Sequence, residues 1–400
     1  MKHRRYFEFL SGLPLILVLL GGVLFIAAPS YGATLKVGTC DHATYSTIQA
    51  AVTAASPGDK IRVCPGLYPE NVTIATPSLT LQGAGPDPKK RTSDITKESV
   101  IQPGAGIALN LMADDIVIEG FTVNEATGSA GVLTSPAFSG YQIRRNRINV
   151  DPDNGVGLNL NSSDDQQTVI EENYFDGNGD MVGAHDTDGI FSNVGLHQAL
   201  IKGNTFVRAK DGAGIVMLVS GLATISDVII EHNTSFQDDS FVALFNAPGT
   251  IIRHNDVDQS VGSGIFLGSG NDGAVISNNK LSDGFRGIQT SVFFGGPANT
   301  GLEISHNDVR NMADSGIYAS GIPAASMLSS LVSENSCRNN GADGIRLGPG
   351  NSGNTILKNE MKDNLGFDAH DETVGAGTAG TANTWLKNKC NTSFPAGLCK

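Results

Sequence analysis

The phrase IRRNRI at 143–148 returns as IEENYF at 170–175, IKGNTF at 201–206, IEHNTS at 230–235 and IRHNDV at 252–257. It continues as ISNNKL at 276–281, ISHNDV at 304–309, VSENSC at 332–337, ILKNEM at 356–361 and WLKNKC at 385–390. Each copy has an aliphatic residue, two variable residues, then Asn, at Asn146, Asn173, Asn204, Asn233, Asn255, Asn279, Asn307, Asn335, Asn359 and Asn388. The nine intervals between Asn146 and Asn388 average about 27 residues, a period that marks a solenoid. LTLQGAG at 79–85 and IEGFTV at 118–123 fit the same frame without the Asn.

A second phrase lies between the first: DGI at 188–190, AGI at 213–215, SGI at 263–265, RGI at 286–288, SGI at 315–317 and DGI at 343–345. Each repeat thus supplies two or three short strands, none able to bury its apolar face alone. Stacking coils about 4.8 Å apart lets every strand bond to its equivalents above and below. Asn at a fixed bend suits left-handed backbone, and its amide can bond the neighbouring coils. Leucine-rich repeats want a Leu frame and a helix per repeat, and neither is present. The reading is an all-β solenoid, a right-handed parallel β-helix of about 12 coils.

Composition agrees, with 49 Gly in 400 residues, 6% aromatics and one Trp. Open solenoid ends expose strand edges, so caps are expected. STIQAAVTAA at 46–55 places Ile48, Ala51, Val52 and Ala55 on one helical face, with Ser46 as N-cap and Pro57-Gly58 as the stop, which makes it the N-terminal helical cap. FPAGLC at 394–399 is read as folding back over the last coil. The expected layout is a leader at 1–33 and one β-helix domain at 34–400, with cap and first coil at 34–78, repeats at 79–389 and a C-terminal cap at 390–400.

Lys2, Arg4 and Arg5 precede an uncharged run from Phe9 to Ala33, with small residues at Ser30, Gly32 and Ala33. This reads as a cleaved signal peptide or an uncleaved anchor; either places the rest outside the cytoplasm, secreted, periplasmic or on the cell surface. A membrane is a partner only in the uncleaved case. The formal charge of −13 becomes −15 once Lys2, Arg4, Arg5 and Glu8 leave with the leader. Such a chain lacks the basic surface that nucleic acid requires. Export permits disulfides, and position pairs Cys40 with Cys64 and Cys390 with Cys399, leaving Cys337 as a buried small hydrophobe.

YSTIQAAVTAASPGDKIRVCPGLYPENVTI at 45–74, SLTLQGAG at 78–85, NGADGIRL at 340–347 and TAGTANTWLKNKC at 378–390 resemble bacterial right-handed β-helix proteins of the pectate-lyase-like superfamily. The resemblance covers residues 34–400 and implies the fold; its activities range over lyases, hydrolases, epimerases and proteins without catalysis. GFDAHD at 366–371 resembles the GFDPHE motif of mannuronan C5-epimerases and alginate lyases. It departs from that motif at Ala369 and Asp371, and Leu365 stands where the family has Tyr. No paired-Asp pattern of the polygalacturonase type is read here; DTDG at 186–189 and DD at 238–239 are taken as isolated carboxylates in solvated loops.

If the Ile after Gly points inward, the next residue points outward, and so does the one two further on. Phe191, Phe245 and Phe266 then form an apolar stripe, expected to bind substrate unless a loop such as 219–227 or 290–301 covers it. Further along, Tyr318, Arg346, Asp368 and His370 share the face. The catalytic reading makes His370 the base, Asp368 its orienting group, Arg346 the holder of a uronate carboxylate and Tyr318 the proton partner. A solvated, salt-linked face near the cap is the bland alternative. Asp176, Asn178, Asp180, Asp186 and Asp188 offer oxygen ligands of the kind that suits Ca²⁺. His232, His254 and His306 sit just before the Asn slot, which leaves copper or zinc as a runner-up. The functional expectation is an exported protein that binds or modifies polysaccharide, as a uronan lyase or C5-epimerase. The rival is a non-catalytic scaffold, adhesin or metal-delivery accessory protein with the same repeat.

Overall fold

The computed structural model describes residues 32–399 apart from 86, 126–129, 152–154, 179–185, 220–222 and 294. The leader at 1–31 lies outside the described residues. Three parallel sheets of 14, 13 and 12 strands run the length of the molecule. The first extends from Thr34–Val37 to Thr384–Leu386, the second from Val72–Ile74 to Ser393–Phe394, the third from Gly66–Tyr68 to Glu360–Lys362. The solenoid therefore makes about 13 turns, one more than the repeat count suggests, because the strands before residue 79 also join the stack.

The interior is built from ladders of equivalent residues. In the 14-stranded sheet Ile143, Ile170, Ile201, Ile230, Ile252, Ile276, Ile304, Val332 and Ile356 pair in direct register, all fully buried. In the 12-stranded sheet the ladder includes Phe175 and Phe206, whose rings stack 4.9 Å apart, and Cys337 between Val309 and Met361. Cys337 is the free, buried thiol, and the disulfides are Cys40–Cys64 and Cys390–Cys399 as expected. Burial pushes the Cys337 thiol upward, which keeps it an inert hydrophobe.

The ten Asn residues form one continuous hydrogen-bonded column. The Oδ1 of Asn173 accepts from both the backbone N–H and the side-chain amide of Asn146, at 2.9 and 3.1 Å. The same pair of bonds repeats from Asn173 to Asn204 and onward to Asn388. Each amide also donates to the strand carbonyl one coil back, as Asn255 does to Ile230. The left-handed backbone expected at Asn instead falls on the residue before it. Arg145, Glu172, His232, His254, Asn278, His306, Glu334, Lys358 and Lys387 have φ between 52° and 57°. That turn aims the Asn side chain inward along the helix axis, where a buried amide needs partners.

A short helix, α1 (Ile48–Ala54), buries Ile48, Ala51 and Val52. Its N-cap is Thr47, not Ser46: the Thr47 hydroxyl accepts from the Ala50 N–H at 3.2 Å. The Glu70 carboxylate takes the next free donors, the Ile48 and Gln49 N–H groups, at 2.8 and 3.0 Å. At the other end Ser393–Phe394 adds a strand beside Ala369–Asp371, and Leu398 reaches the core.

Asn255→Leu leaves the Asn233 N–H without an acceptor inside the bend and removes one of the two bonds of its side-chain amide. It is expected to cost about 1–3 kcal/mol in denaturant unfolding. The exposed Asn391 provides the reference substitution; Asn391→Leu is expected to cost far less. Equal losses for the two would show that the column is not what holds the coils.

Candidate functional site

Because the coils are in register, outward residues of the 13-stranded sheet form a row: Phe191, Val216, Ala243, Phe266, Gln289, Tyr318, Arg346 and His370. All eight are half-buried. The first half of this row floors a groove of about 720 Å³. Phe245 lies 5.8 Å from Phe266 between ring centroids, and Phe293 sits 5.8 Å from Phe245 and 6.2 Å from Phe266. The loop at 290–301 thus reaches the expected apolar stripe but does not seal it: Phe293 is 46% exposed and lines the groove with Phe191, Phe245 and Phe266.

One wall of the groove is acidic. Asp186 and Asp188 from one coil, Asp211 from the next and Asp239 from the one after line it together. The expectation of isolated, solvated carboxylates is corrected here. Asp188 is only 8% exposed, and Asp238, next to the groove residue Asp239, is completely buried. A repeat phrase shows which residues align, but not how deep the turn before it lies once neighbouring coils cover it. Asp188 accepts the Ala213 N–H on Oδ1 at 2.9 Å. Burial, opposed by that bond and reinforced by Asp186, pushes its carboxyl up to about 7. Burial and the Asp211 charge push Asp239 up as well. The groove's cation, Arg286, is held by Asp314 at 2.5 Å and by the Gln289 side chain at 3.0 Å, between the rings of Phe285 and Tyr318.

The second half of the row is differently made. Tyr318, Arg346 and His370 are direct register partners, as the sequence suggests. Asp368 is not with them. It is 2% exposed and accepts from the Asn364 amide at 2.8 Å and the Asn391 N–H at 2.8 Å, inside the C-terminal turn. Ala369, not Phe367, fills the inward slot of this last coil, so the outward pair is His370 and Glu372. The carboxylate that orients His370 is Asp343, 2.9 Å from Nδ1, and sequence reasoning missed it. Burial pushes Asp343 up, but the His370 bond, the Phe367 N–H and Arg346 outweigh it and hold the carboxyl below its usual range. Arg346 donates to Glu372 at 2.6 Å and lies over the Tyr318 ring at 5.4 Å; Glu372 is also 3.5 Å from His370 Nε2. Phe367 and Phe394 flank the imidazole edge-on. Every charge here has its opposite, which is the salt-linked face of the bland alternative.

The described members of the Ca²⁺ set lie in different surroundings. Asp176 is paired with Arg147 and Arg208 in the 12-stranded sheet, while Asp186 and Asp188 face the groove. The Asn178 amide donates to the Val150 carbonyl, and Asp180 lies outside the described residues. The His row is real only in part: His232 and His254 stack 5.1 Å apart, but His306 pairs with Glu334 at 3.0 Å. Among the described residues no group of three His, Cys, Asp or Glu side chains is arranged to hold a metal ion.

Asp238 accepts from the Ser235 hydroxyl at 2.6 Å and the Ala209 N–H at 2.7 Å, yet burial pushes it up to about 7. A raised folded-state value stabilises the protein below the unfolded value of about 4 and loses that contribution as pH rises towards 7. Asp238→Asn is therefore expected to gain in Tm on the wild type as pH rises from about 4 to about 7. Parallel Tm curves across that range would contradict it.

Residues 185–326 match the family described as a right handed beta helix region. No curated protein sequence matches the chain. Among solved structures, a mannuronic acid specific polysaccharide family 6 lyase from human gut microbiota superposes with a TM-score of 0.58. It is 14% identical, over 89% of this chain and 82% of the lyase. A family 6 alginate lyase in complex with a trisaccharide gives 0.58 at 13% identity, over 90% and 85%. The catalytic unit of a thermostable α-1,3-glucanase from Streptomyces thermodiastaticus strain HF3-3 gives 0.58 at 16%, over 86% and 66%. At these identities the likeness shows the architecture alone: this chain is a right-handed parallel β-helix.

Proposed function

We propose that this is an exported polysaccharide-binding β-helix, whose groove over the 13-stranded sheet seats a glycan against Phe191, Phe245, Phe266 and Phe293. The observation that carries the reading is the pairing of ring faces with carboxyls in one open groove of about 720 Å³. Sugar rings have apolar faces that pack on aromatic side chains and hydroxyls that bond carboxylates, so both halves of the lining have a use. β-helices of the same shape include enzymes named for mannuronic acid and for α-1,3-glucan, which supports a chain-like carbohydrate ligand. Export is supported by the two disulfides, which need an oxidising compartment. In this reading α1 covers the first coil.

Lyase or epimerase chemistry at His370 has less to support it. The two groups that would meet a uronate are occupied, Arg346 by Glu372 and His370 Nδ1 by Asp343. Wild-type protein is expected to release no ultraviolet-absorbing unsaturated ends from oligouronates. Release that His370→Ala abolishes, with folding intact, would restore that chemistry.

Phe266→Ala removes the central ring of the floor. Losing about 40–80 Å² of apolar contact costs about 1–2 kcal/mol, roughly 5–30-fold in affinity. A glycan panel read by calorimetry checks this, with Phe285→Ala at the groove rim as the milder comparison. Glycan binding that Phe266→Ala leaves unchanged would place the site elsewhere.

A further inference from the structure

The charges in the groove say more about its ligand than its shape does. Among the described residues Asp186, Asp188, Asp211 and Asp239 face one guanidinium, and that guanidinium is already bound to Asp314. Within the same residues the side chains of Asp186 and Asp239 accept no hydrogen bond and make no ion pair, and Asp188, only 8% exposed, has one oxygen on the Ala213 N–H and no bond to the other. Elsewhere along the same face the protein supplies a counter-ion for each charge: Arg286 with Asp314, Arg346 with Glu372, His370 with Asp343. Carboxylates left without cations beside Phe walls repel one another in a medium of reduced dielectric. Burial pushes Asp188 and Asp239 up, and the neighbouring Asp186 and Asp211 charges add to that push.

We infer that the groove takes a glycan bearing free ammonium groups, an amino-sugar polymer, rather than a uronan. This rests on the glycan-binding reading and names the substrate class for the same site. An ammonium group on the sugar would supply a cation to Asp186, Asp188 and Asp239, favouring the ionised carboxylates. Ring faces lining the same groove also attract cations. A polyuronate would instead bring carboxylates to carboxylates, with Arg286 not free to receive them. The formal charge of −13 on the whole chain points the same way at longer range.

The test is calorimetric titration of the full protein with three oligosaccharides of equal length: fully deacetylated glucosamine, fully N-acetylated glucosamine and mannuronate. The glucosamine oligomer is expected to bind about tenfold or more tighter than its acetylated counterpart, with affinity falling as salt is raised. Asp239→Asn should weaken the glucosamine oligomer severalfold more than the acetylated one, whereas Phe266→Ala should weaken both alike. Asp186→Asn, at an exposed position, gives the same reading should Asp239→Asn fold poorly. Mannuronate binding as tightly, and losing affinity in Phe266→Ala, would overturn the inference while leaving the groove as a glycan site. Equal binding of the acetylated and deacetylated oligomers, insensitive to Asp239→Asn, would overturn it in favour of a neutral glycan. Glucosamine binding indifferent to both substitutions would reduce the effect to attraction by an acidic surface. No binding of any oligomer would remove the glycan-binding reading itself.

Discussion

The Asn side-chain amide sets the terms for everything else in this molecule. Its oxygen accepts two donors from the coil before it and its NH₂ reaches a strand carbonyl one coil back. A single residue type thereby fixes both the spacing of adjacent coils and their rotation about the helix axis. A Gln would reach too far, and an Asp could not donate. The column also accounts for tolerance elsewhere: intervals between successive Asn range from 22 residues, Asn233 to Asn255, to 31, Asn173 to Asn204, without disturbing the register. Extra residues leave as loops, because the bend is held by its own bonds. The backbone cost falls on the preceding residue, which takes left-handed φ in every described coil of the column.

Coils in register turn a strand face into a lattice on which chemistry is set by row and column. The row from Phe191 to His370 changes character at Gln289. Before it, small and aromatic side chains leave room for a groove; after it, Tyr318, Arg346 and His370 fill their own space and bind their own counter-ions. Both halves stand on the same sheet. What differs is whether the neighbouring turns supply partners, as Asp343 and Glu372 do in the second half.

The fold was legible because a period is a global signal, repeated ten times, and survives any single misreading. The Phe stripe was legible for the same reason, since alternation from a Gly-Ile frame carries through every coil that has the phrase. The last coil lacks it. GFDAHD offers two frames, and only the pairing of Arg346 with His370 shows that Ala369 takes the inward slot and that Asp368 turns into the C-terminal bend. Asn351, within the Gly- and Asn-rich stretch GPGNSGN at 348–354, has the local composition of an exposed loop yet is fully buried, its Oδ1 accepting from the Ser326 and Met327 N–H groups. The acidic wall was hidden because the depth of a turn depends on what the adjacent coils place beside it, and no local pattern encodes that.

Asp188 and Asp238 separate what burial alone does not. Both carboxyls are pushed up to about 7 by loss of water. Asp238 has a Ser235 hydroxyl on one oxygen and the Ala209 N–H on the other, and is completely buried. Its Ser235 partner follows Phe206 in the ladder of the 12-stranded sheet, so its bonds end within the core. Asp188 has one oxygen on the Ala213 N–H and lines the groove with Asp186 and the Phe side chains. A buried polar group whose hydrogen-bonding capacity is met contributes to packing; one left short at a cavity wall is costly until a ligand completes it. Both carboxyls cost stability when ionised, but within the described residues only Asp188 keeps an unmet acceptor beside the groove, and that difference is what supports the proposed site.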